Sequence, residues 1–247
     1  MSLERIVVFG ATSAIAQAVA RRFAARGARF HLIGRDGARL EAVRADLAAR
    51  GAAGATVALA DLDDLSLHRG LIDAAEAALG TIDAALVAQG RLPDQAACQA
   101  DFELTASAWR TNFIAPASIA AELANRFAAR GAGTIAVVSS VAGDRGRKSN
   151  YVYGTAKGAL TVFLQGLRGR LHDKGVAVVT VKPGFVDTPM NAHLTKGILW
   201  ATPDQVAVGI VRAMERGTPE VYLPRFWWAV MFILRHLPER IFVKLDI

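Results

Sequence analysis

The sequence has one cysteine, Cys98, and no apolar run long enough to cross a membrane. A single cysteine excludes an internal disulfide and fits a protein of the reducing cytoplasm. A membrane-spanning helix needs about 20 apolar residues, whereas the apolar run at 226–234 has nine. The opening segment MSLERIVVFGA leads straight into a strand pattern. We therefore expect a cytoplasmic protein without a targeting peptide.

Motifs for nucleic acid or metal are also missing. The net charge of +7 favours an anionic partner. The basic residues are nonetheless scattered over many predicted helices, without a helix-turn-helix, zinc or aromatic-basic RNA pattern. The five histidines lack the spacing of metal ligands. We therefore expect neither a nucleic-acid partner nor a bound metal.

No repeat and no linker rich in Pro, Gly or Ser divides the chain, which favours a single domain. Short apolar runs alternate with alanine-rich helical stretches, and the runs are continuous, as in parallel strands covered on both faces. The predicted strands are 5–9, 30–33, 56–60, 84–88, 134–139 and 176–182, and the predicted helices lie around 15–26, 37–50, 65–79, 105–130 and 151–174. This order predicts an α/β fold, a doubly wound parallel sheet of Rossmann type. We expect it to cover residues 1–223, followed by an amphipathic tail over 224–247.

The loop GATSAIA after the first predicted strand is poor in glycine for a dinucleotide site. Such a loop uses one glycine for a tight turn, one for close approach to the pyrophosphate and one for helix packing. Only Gly10 is present, and Ala14 and Ala16 take the other two places. The following helix N-terminus still attracts phosphate, and Thr12 and Ser13 add hydroxyl donors. We therefore expect the loop to bind a cofactor.

Tyr153 and Lys157 are four residues apart, so they share one face of a helix. A free tyrosine titrates near ~10, and a neighbouring ammonium favours the phenolate, so we expect Lys157 to lower the tyrosine pKa. Ser140 ends the fifth predicted strand within reach of the same point, and Ser139 is the competing serine. Alone, the Tyr-x-x-x-Lys pattern equally fits an exposed tyrosine beside a solvated lysine.

Taken together, these residues resemble the classical short-chain dehydrogenase/reductase family over residues 3 to about 223. The matching features are Gly10, Asp61, Leu62, Gly90, Asn112, Ser140, Tyr153, Lys157 and the segment PGFVDTPM. The resemblance implies an NAD(P)-dependent oxidoreductase in which Tyr153 transfers the substrate proton and Ser140 hydrogen-bonds the carbonyl. It also implies that Lys157 holds the nicotinamide ribose and that Asn112 supports a water relay. The thirteen-residue spacing to Tyr153 favours Ser140 over Ser139.

The cofactor contacts implied by the resemblance lie at the carboxyl ends of the strands. They are Gly10, Thr12, Ser13, Ala14, Ile15, Arg35, Asp61, Leu62, Ala88, Gln89, Gly90, Tyr153, Lys157, Pro183, Val186 and Thr188. Gly34 offers no acidic side chain for a ribose hydroxyl, and Arg35 is placed to pair with a 2′-phosphate. We therefore expect a preference for NADP(H), with NAD(H) as the alternative. A solvated Arg35, or one paired with Asp36, would remove that preference.

Three segments show a narrower resemblance. GRLPDQ, VVSSVAGDRGRKSNYVYGTAKGAL and the tail VMFILRHLPERIFVKLDI resemble the branch that forms the reductase half of the decaprenylphosphoryl-ribose 2′-epimerase system. This resemblance implies a keto-sugar substrate linked to a polyprenyl phosphate, and a separate flavoenzyme partner. Arg145, Arg147 and Lys148 follow Ser140 and are candidates for binding a phosphodiester. Their alternative is a solvated basic loop.

The tail places its nine apolar residues between Arg225 and Arg235. Aromatic residues beside basic ones are typical of a helix lying in a membrane interface, so we expect peripheral contact with the inner membrane face through 226–244. Burial against the sheet, or in a homo-oligomer, is the alternative.

Three functional hypotheses follow. The first is a reductase of a polyprenyl-linked keto sugar. The second is a soluble short-chain reductase of another ketone or alcohol, and the third is a non-catalytic dinucleotide-binding regulator. Cofactor turnover separates the third from the others, and membrane partition separates the first two.

Overall fold

Seven strands build the centre of the protein. The computed structural model describes residues 3–192 and 194–245. The strands are β1 (Arg5–Phe9), β2 (Arg29–Gly34), β3 (Gly54–Leu59), β4 (Ala84–Val87), β5 (Gly133–Val138), β6 (Val176–Pro183) and β7 (Glu220–Leu223). They form one sheet in the order β3-β2-β1-β4-β5-β6-β7. Every pairing is parallel; Ile6 of β1, for example, pairs with Phe30 on one side and Ala84 on the other.

Helices cover both faces of this sheet. They are α1 (Ala14–Ala24), α2 (Gly37–Ala49), α3 (His68–Leu79), α4 (Gln95–Ala100), α5 (Phe102–Trp109), α6 (Ala115–Arg130), α7 (Tyr151–Leu171), α8 (Pro203–Arg216), α9 (Trp227–His236) and α10 (Glu239–Phe242). Val8 belongs to the core beneath α1, α2 and α8, and its neighbour Phe9 belongs to the core beneath α3, α6 and α7. Because successive strand residues point to opposite faces, a strand covered on both faces is apolar throughout.

The predicted doubly wound parallel sheet of Rossmann type is confirmed, and the six predicted strands agree with β1 to β6 within a few residues. β7 was not predicted, because its four residues are only partly apolar. The helix expected over 105–130 is divided into α5 and α6 by a π-helical turn at Arg110–Ile114. Such turns are rare and frequently lie at functional sites.

The strand order reverses at β1, which lies between β2 and β4. The chain therefore leaves β1 toward one edge of the sheet and later returns to β4 on the other side. The loops after these two strands diverge and open a crevice, which is where ligands bind in sheets of this type.

The tail begins after β7 and packs on the domain. Trp227 and Met231 of α9 are buried in a cluster with Val141 and Tyr222. No helix in the described part of the chain is both long enough and apolar enough to cross a membrane. Residues 1 and 2 of the predicted domain (1–223) and residues 246 and 247 of the predicted tail (224–247) lie outside the described residues.

Candidate active site

A cleft of about 470 Å³ opens at the carboxyl edge of the sheet, at the reversal of strand order. All the residues predicted to contact a cofactor line it: Gly10, Thr12, Ser13, Ala14, Ile15, Arg35, Asp61, Leu62, Ala88, Gln89, Gly90, Tyr153, Lys157, Pro183, Val186 and Thr188. They come from loops that are far apart in the chain. The parallel sheet brings them to one concave surface because every strand ends at the same edge.

The glycine-poor loop keeps its glycine where the backbone requires it. Gly10 has φ +77°, a left-handed conformation, and a Cβ there would lie 2.7 Å from the backbone N of Gln89. By contrast, Ala14 is the first residue of α1 and Ala16 is fully buried in the helix–sheet core. Both alanines adopt helical backbone that any residue tolerates. The loop therefore retains its tight turn and the free N–H groups of the helix N-terminus.

Gln89 shows that the cleft fits a polar ligand. Its side-chain amide nitrogen and oxygen are both buried, and neither has a hydrogen-bond partner among the described residues. A buried amide without partners costs about 1–3 kcal/mol for each unmade bond. The side chain lines the cleft between Gly10 and Gly90. A dinucleotide carries hydrogen-bond donors and acceptors along its length and could therefore pair with the Gln89 amide.

The end of β2 presents two arginines to the cleft, Arg35 and Arg39. Nη2 of Arg39 donates to the carbonyl oxygen of Thr12 at 3.1 Å, which links α2 to the phosphate loop. The carboxylate of Asp36 accepts from the backbone N–H of Arg39 at 3.0 Å and caps α2. The sequence analysis did not identify Arg39. Its spacing of four residues from Arg35 is the feature that could have indicated a second arginine at the same place.

Tyr153 lies at the first turn of α7, beside Ser140 at the end of β5. Burial raises the pKa of Tyr153 to about 12, although a hydrogen bond with the Ser140 side chain opposes the shift. Ser140 Oγ also accepts from the backbone N–H of Ala142 at 3.1 Å, which fixes the serine at the start of its turn. At neutral pH the phenol is therefore protonated and able to donate.

Lys157 is anchored one helical turn away. Its Nζ donates to the carbonyl oxygen of Val138 at 2.9 Å and lies 5.8 Å from the centre of the Tyr153 ring. Burial lowers the pKa of Lys157 to about 8. The sequence led us to expect that Lys157 lowers the pKa of Tyr153. The net shift is upward because burial penalises the phenolate, and the Lys157 ammonium is held on the carbonyl oxygen of Val138.

The two candidate serines have different surroundings. Ser139 is buried, and its Oγ bonds to the carbonyl oxygen of Lys157 at 3.0 Å and to the Thr161 hydroxyl at 2.9 Å. Its hydroxyl therefore ties β5 to α7. Ser140 is the serine whose side chain reaches Tyr153.

Asn112 is fully buried within the π-helical turn. Its Oδ1 accepts from the backbone N–H of Arg91 at 3.0 Å, and its Nδ2 donates to the carbonyl oxygens of Arg91 and Ala108, each at 2.9 Å. The amide thus holds the loop after β4, including Gly90, at the wall of the cleft. Sequence reasoning gave no role to Arg91, which this pairing positions.

Arg145 does not point toward a free substrate site. Its guanidinium donates to the carbonyl oxygens of Leu234 and Leu237, the latter at 2.6 Å, and pairs with Glu239 at 2.8 Å. It also lies 3.8 Å from the centre of the Phe242 ring. The predicted role of Arg145 in binding a phosphodiester is therefore corrected to a structural one, because the tail takes up its donors.

Arg147 and Lys148 remain on the same loop, and burial lowers the pKa of Arg147. Neither Arg147 nor Lys148 lines the cleft. Either residue could therefore contact only a part of a ligand that extends out of the cleft.

A buried charged cluster under the Ser140 loop was also missed. Lys182 of β6 is 3% exposed and lies 2.7 Å from Asp144 and 3.0 Å from Glu220. The Tyr222 hydroxyl donates to Asp144 at 2.7 Å, and burial together with Asp144 raises the pKa of that phenol. The cluster joins the loop after β5 to the last two strands.

Several known proteins are similar to this chain in sequence or in fold. The profile of the short chain dehydrogenase family matches residues 4–198. An uncharacterized oxidoreductase of Mycobacterium tuberculosis is 38% identical over 237 residues, which cover 95% of this chain and 94% of that protein. An uncharacterized oxidoreductase of Streptomyces coelicolor is 36% identical over 245 residues, covering 97% and 95%.

Among solved structures, an actinorhodin polyketide ketoreductase variant with NADPH superposes with a TM-score of 0.81. The superposition covers 91% of this chain and 97% of that one at 20% identity, so the likeness concerns the fold.

Proposed function

Because the chain belongs to the short chain dehydrogenase family of oxidoreductases, we propose that it is an NADPH-dependent ketone reductase with Tyr153 as proton donor. The observation that carries this proposal is the placement of Tyr153 and Lys157 on one face of α7, with Ser140 beside them, at a cleft that fits a dinucleotide. The phenol is protonated at neutral pH, so it can supply the proton that the product oxygen takes up in the reductive direction.

Each of the neighbouring side chains has a different role in the proposed reaction. When bound, NADPH supplies a hydride to the carbonyl carbon. Tyr153 gives its phenolic proton to the carbonyl oxygen, and the Ser140 hydroxyl orients that oxygen by a hydrogen bond. Lys157 carries positive charge below its pKa of about 8, which stabilises the phenolate left behind. Asn112 keeps Gly90 and Arg91 in place, so that the cleft wall does not shift during turnover.

NADPH rather than NADH is proposed because Arg35 and Arg39 line the cleft just after β2, where the Asp36 carboxylate is engaged in capping α2. We expect Arg35→Asp to weaken NADPH binding about ten- to a hundredfold, with a much smaller effect on NADH, since a charge-assisted bond is lost. Fluorescence titration with each cofactor measures this change. Arg44→Asp, farther along α2 and paired with Glu41, is the matched control. Equal affinity of the unmutated protein for both cofactors would contradict the proposal.

As substrate we propose a keto sugar linked to a polyprenyl phosphate. The narrower sequence resemblance supports it, and so do the basic residues Arg147 and Lys148 on the loop that follows Ser140. A separate flavoenzyme that oxidises the same lipid-linked sugar would supply the ketone. The alternatives are a reductase of some other ketone and a cofactor-binding regulator without turnover.

The substrate proposal predicts a charge effect at Arg147. We expect Arg147→Ala to raise KM for a phosphorylated keto sugar about tenfold, because a charge-assisted hydrogen bond is lost. KM for a neutral cyclic ketone should stay within twofold or so. Steady-state assays on both ketones measure the difference, with Lys174→Ala, at the far end of α7, as control. Equal losses on both ketones would assign Arg147 to loop folding, and no turnover of any ketone would support the regulator.

Self-association is also proposed. Phe102 and Leu104 of α5 and Val162 of α7 are exposed apolar side chains outside the cleft. Large apolar side chains left exposed on a domain are frequently covered by protein–protein contacts, which supports a homo-oligomer.

A further inference from the structure

The tail has two apolar faces, and only one of them is covered. The inner face of α9 carries Trp227 and Met231, which are buried against Val141 and Tyr222. The outer face carries Trp228, Phe232 and Ile233, which are 60%, 53% and 61% exposed. The rings of Trp228 and Phe232 stack on each other with centres 5.6 Å apart. Exposure of such an apolar surface to water is unfavourable in free energy, so we expect a binding partner to cover it.

The exposed apolar surface continues along the tail. Phe226 precedes α9 with 42% of its surface exposed, and Ile241 and Val243 follow in and after α10 with 51% and 59% exposed. We call this surface the outer face; it consists of Phe226, Trp228, Phe232, Ile233, Ile241 and Val243.

The exposed charges of the described tail residues are mostly basic. Arg225, Arg235, Arg240 and Lys244 are exposed and alternate in the sequence with the residues of the outer face. The acidic Glu239 is paired with Arg145 of the domain. Two copies of this segment meeting through their outer faces would bring eight cations together, because a two-fold interface uses the same surface patch of both copies. An anionic surface suits this arrangement better than a second copy does.

We infer that the outer face docks on an anionic lipid surface. α9 has ten residues and spans about 15 Å, half of a ~30 Å hydrocarbon core, so it lies in the interface plane. The aromatic and aliphatic side chains enter the acyl boundary, and the four cations meet the headgroups. This inference goes beyond the proposed reaction and does not depend on the identity of the substrate.

The helix that carries the outer face adjoins the walls of the cleft through its inner face. A Cβ at Gly184, which lines the cleft, would collide with the indole of Trp227. Phe185 contacts the Trp227 ring on one side and stacks on Trp200 on the other, with ring centres 5.6 Å and 5.5 Å apart. The loop that ends at Trp200 exposes Ile198 almost completely. Docking therefore brings the mouth of the site to the lipid surface.

The test is sedimentation of the full chain with vesicles, measured without substrate or cofactor. We expect the protein to sediment with vesicles of phosphatidylcholine and phosphatidylglycerol, and to remain in the supernatant with phosphatidylcholine alone. Trp228→Ser combined with Phe232→Ser should lower the partition coefficient at least about tenfold, because two large apolar side chains are lost. Arg235→Gln should lower it about fivefold.

The control is Leu59→Ser combined with Val208→Ser, which removes two exposed apolar side chains that belong neither to the outer face nor to the cleft nor to the proposed self-association surface. This variant should sediment like the unmutated chain. Turnover of a small neutral ketone by the Trp228/Phe232 variant should be unchanged, which shows that the cleft is intact.

Three outcomes would overturn the inference. They are no sedimentation with the anionic vesicles, equal sedimentation with both vesicle types, and normal sedimentation of the Trp228/Phe232 variant. Loss of a dimer in that variant, without vesicle binding by the unmutated chain, would assign the outer face to contact between copies. A failure of ketone reduction leaves the vesicle result standing, so the two proposals can fail separately.

Discussion

Replacing Tyr153 with phenylalanine is expected to lower kcat for ketone reduction about 10²–10⁴-fold, because the phenolic proton is the acid of the reaction. The ring remains, so the packing at the start of α7 and the wall of the cleft are preserved. Binding of NADPH, followed by fluorescence titration, should change little.

Tyr151 provides the matched control. It lies two residues earlier in the same helix and is exposed to solvent. Tyr151→Phe should reduce ketones at the rate of the unmutated protein. Substantial turnover by Tyr153→Phe would show that another group supplies the proton.

Replacing Lys182 with methionine is expected to lower the free energy of unfolding by about 3–5 kcal/mol, since it leaves the buried Asp144 carboxylate without its cation. Both side chains are 3% exposed, so water cannot compensate. Urea unfolding followed by circular dichroism measures the loss.

A second substitution separates charge from packing. Asp144→Asn in the Lys182→Met background removes the stranded carboxylate and should recover part of the stability. Lys174→Met, at an exposed lysine, should be nearly neutral. No recovery in the double variant would mean that lost packing of the lysine stem, rather than an unpaired charge, causes the instability.

The sheet was predictable because its signal is local. A strand covered on both faces is apolar along its length, and β4 (AALV) and the run IVVF of β1 show this directly in the sequence. The site was predictable for a related reason: parallel strands end at one edge, so the residues after them converge. Tyr153 and Lys157 follow from helical spacing, and the resemblance supplied Ser140 and Asn112.

The missed features depend on contacts between distant parts of the chain. Arg145 meets Leu234 across 89 residues, and Tyr222 meets Asp144 across 78. No local sequence pattern near Arg145 or Tyr222 indicates its partner. The sequence therefore predicts the basic loop and the amphipathic tail as separate features, without the contact between them. The pKa of Tyr153 was missed for a similar reason, because burial depends on the assembled fold.

The contact of Arg145 with the tail also sets an order of events during synthesis. The partners of Arg145 leave the ribosome 89 or more residues after it, which at ~5–20 residues per second is about 4–18 s. The nucleotide cleft is complete in the chain before α9 exists. A nascent or prematurely terminated chain therefore has every residue that lines the cleft while Arg145, on the loop that follows Ser140, still lacks its contacts with Leu234 and Leu237.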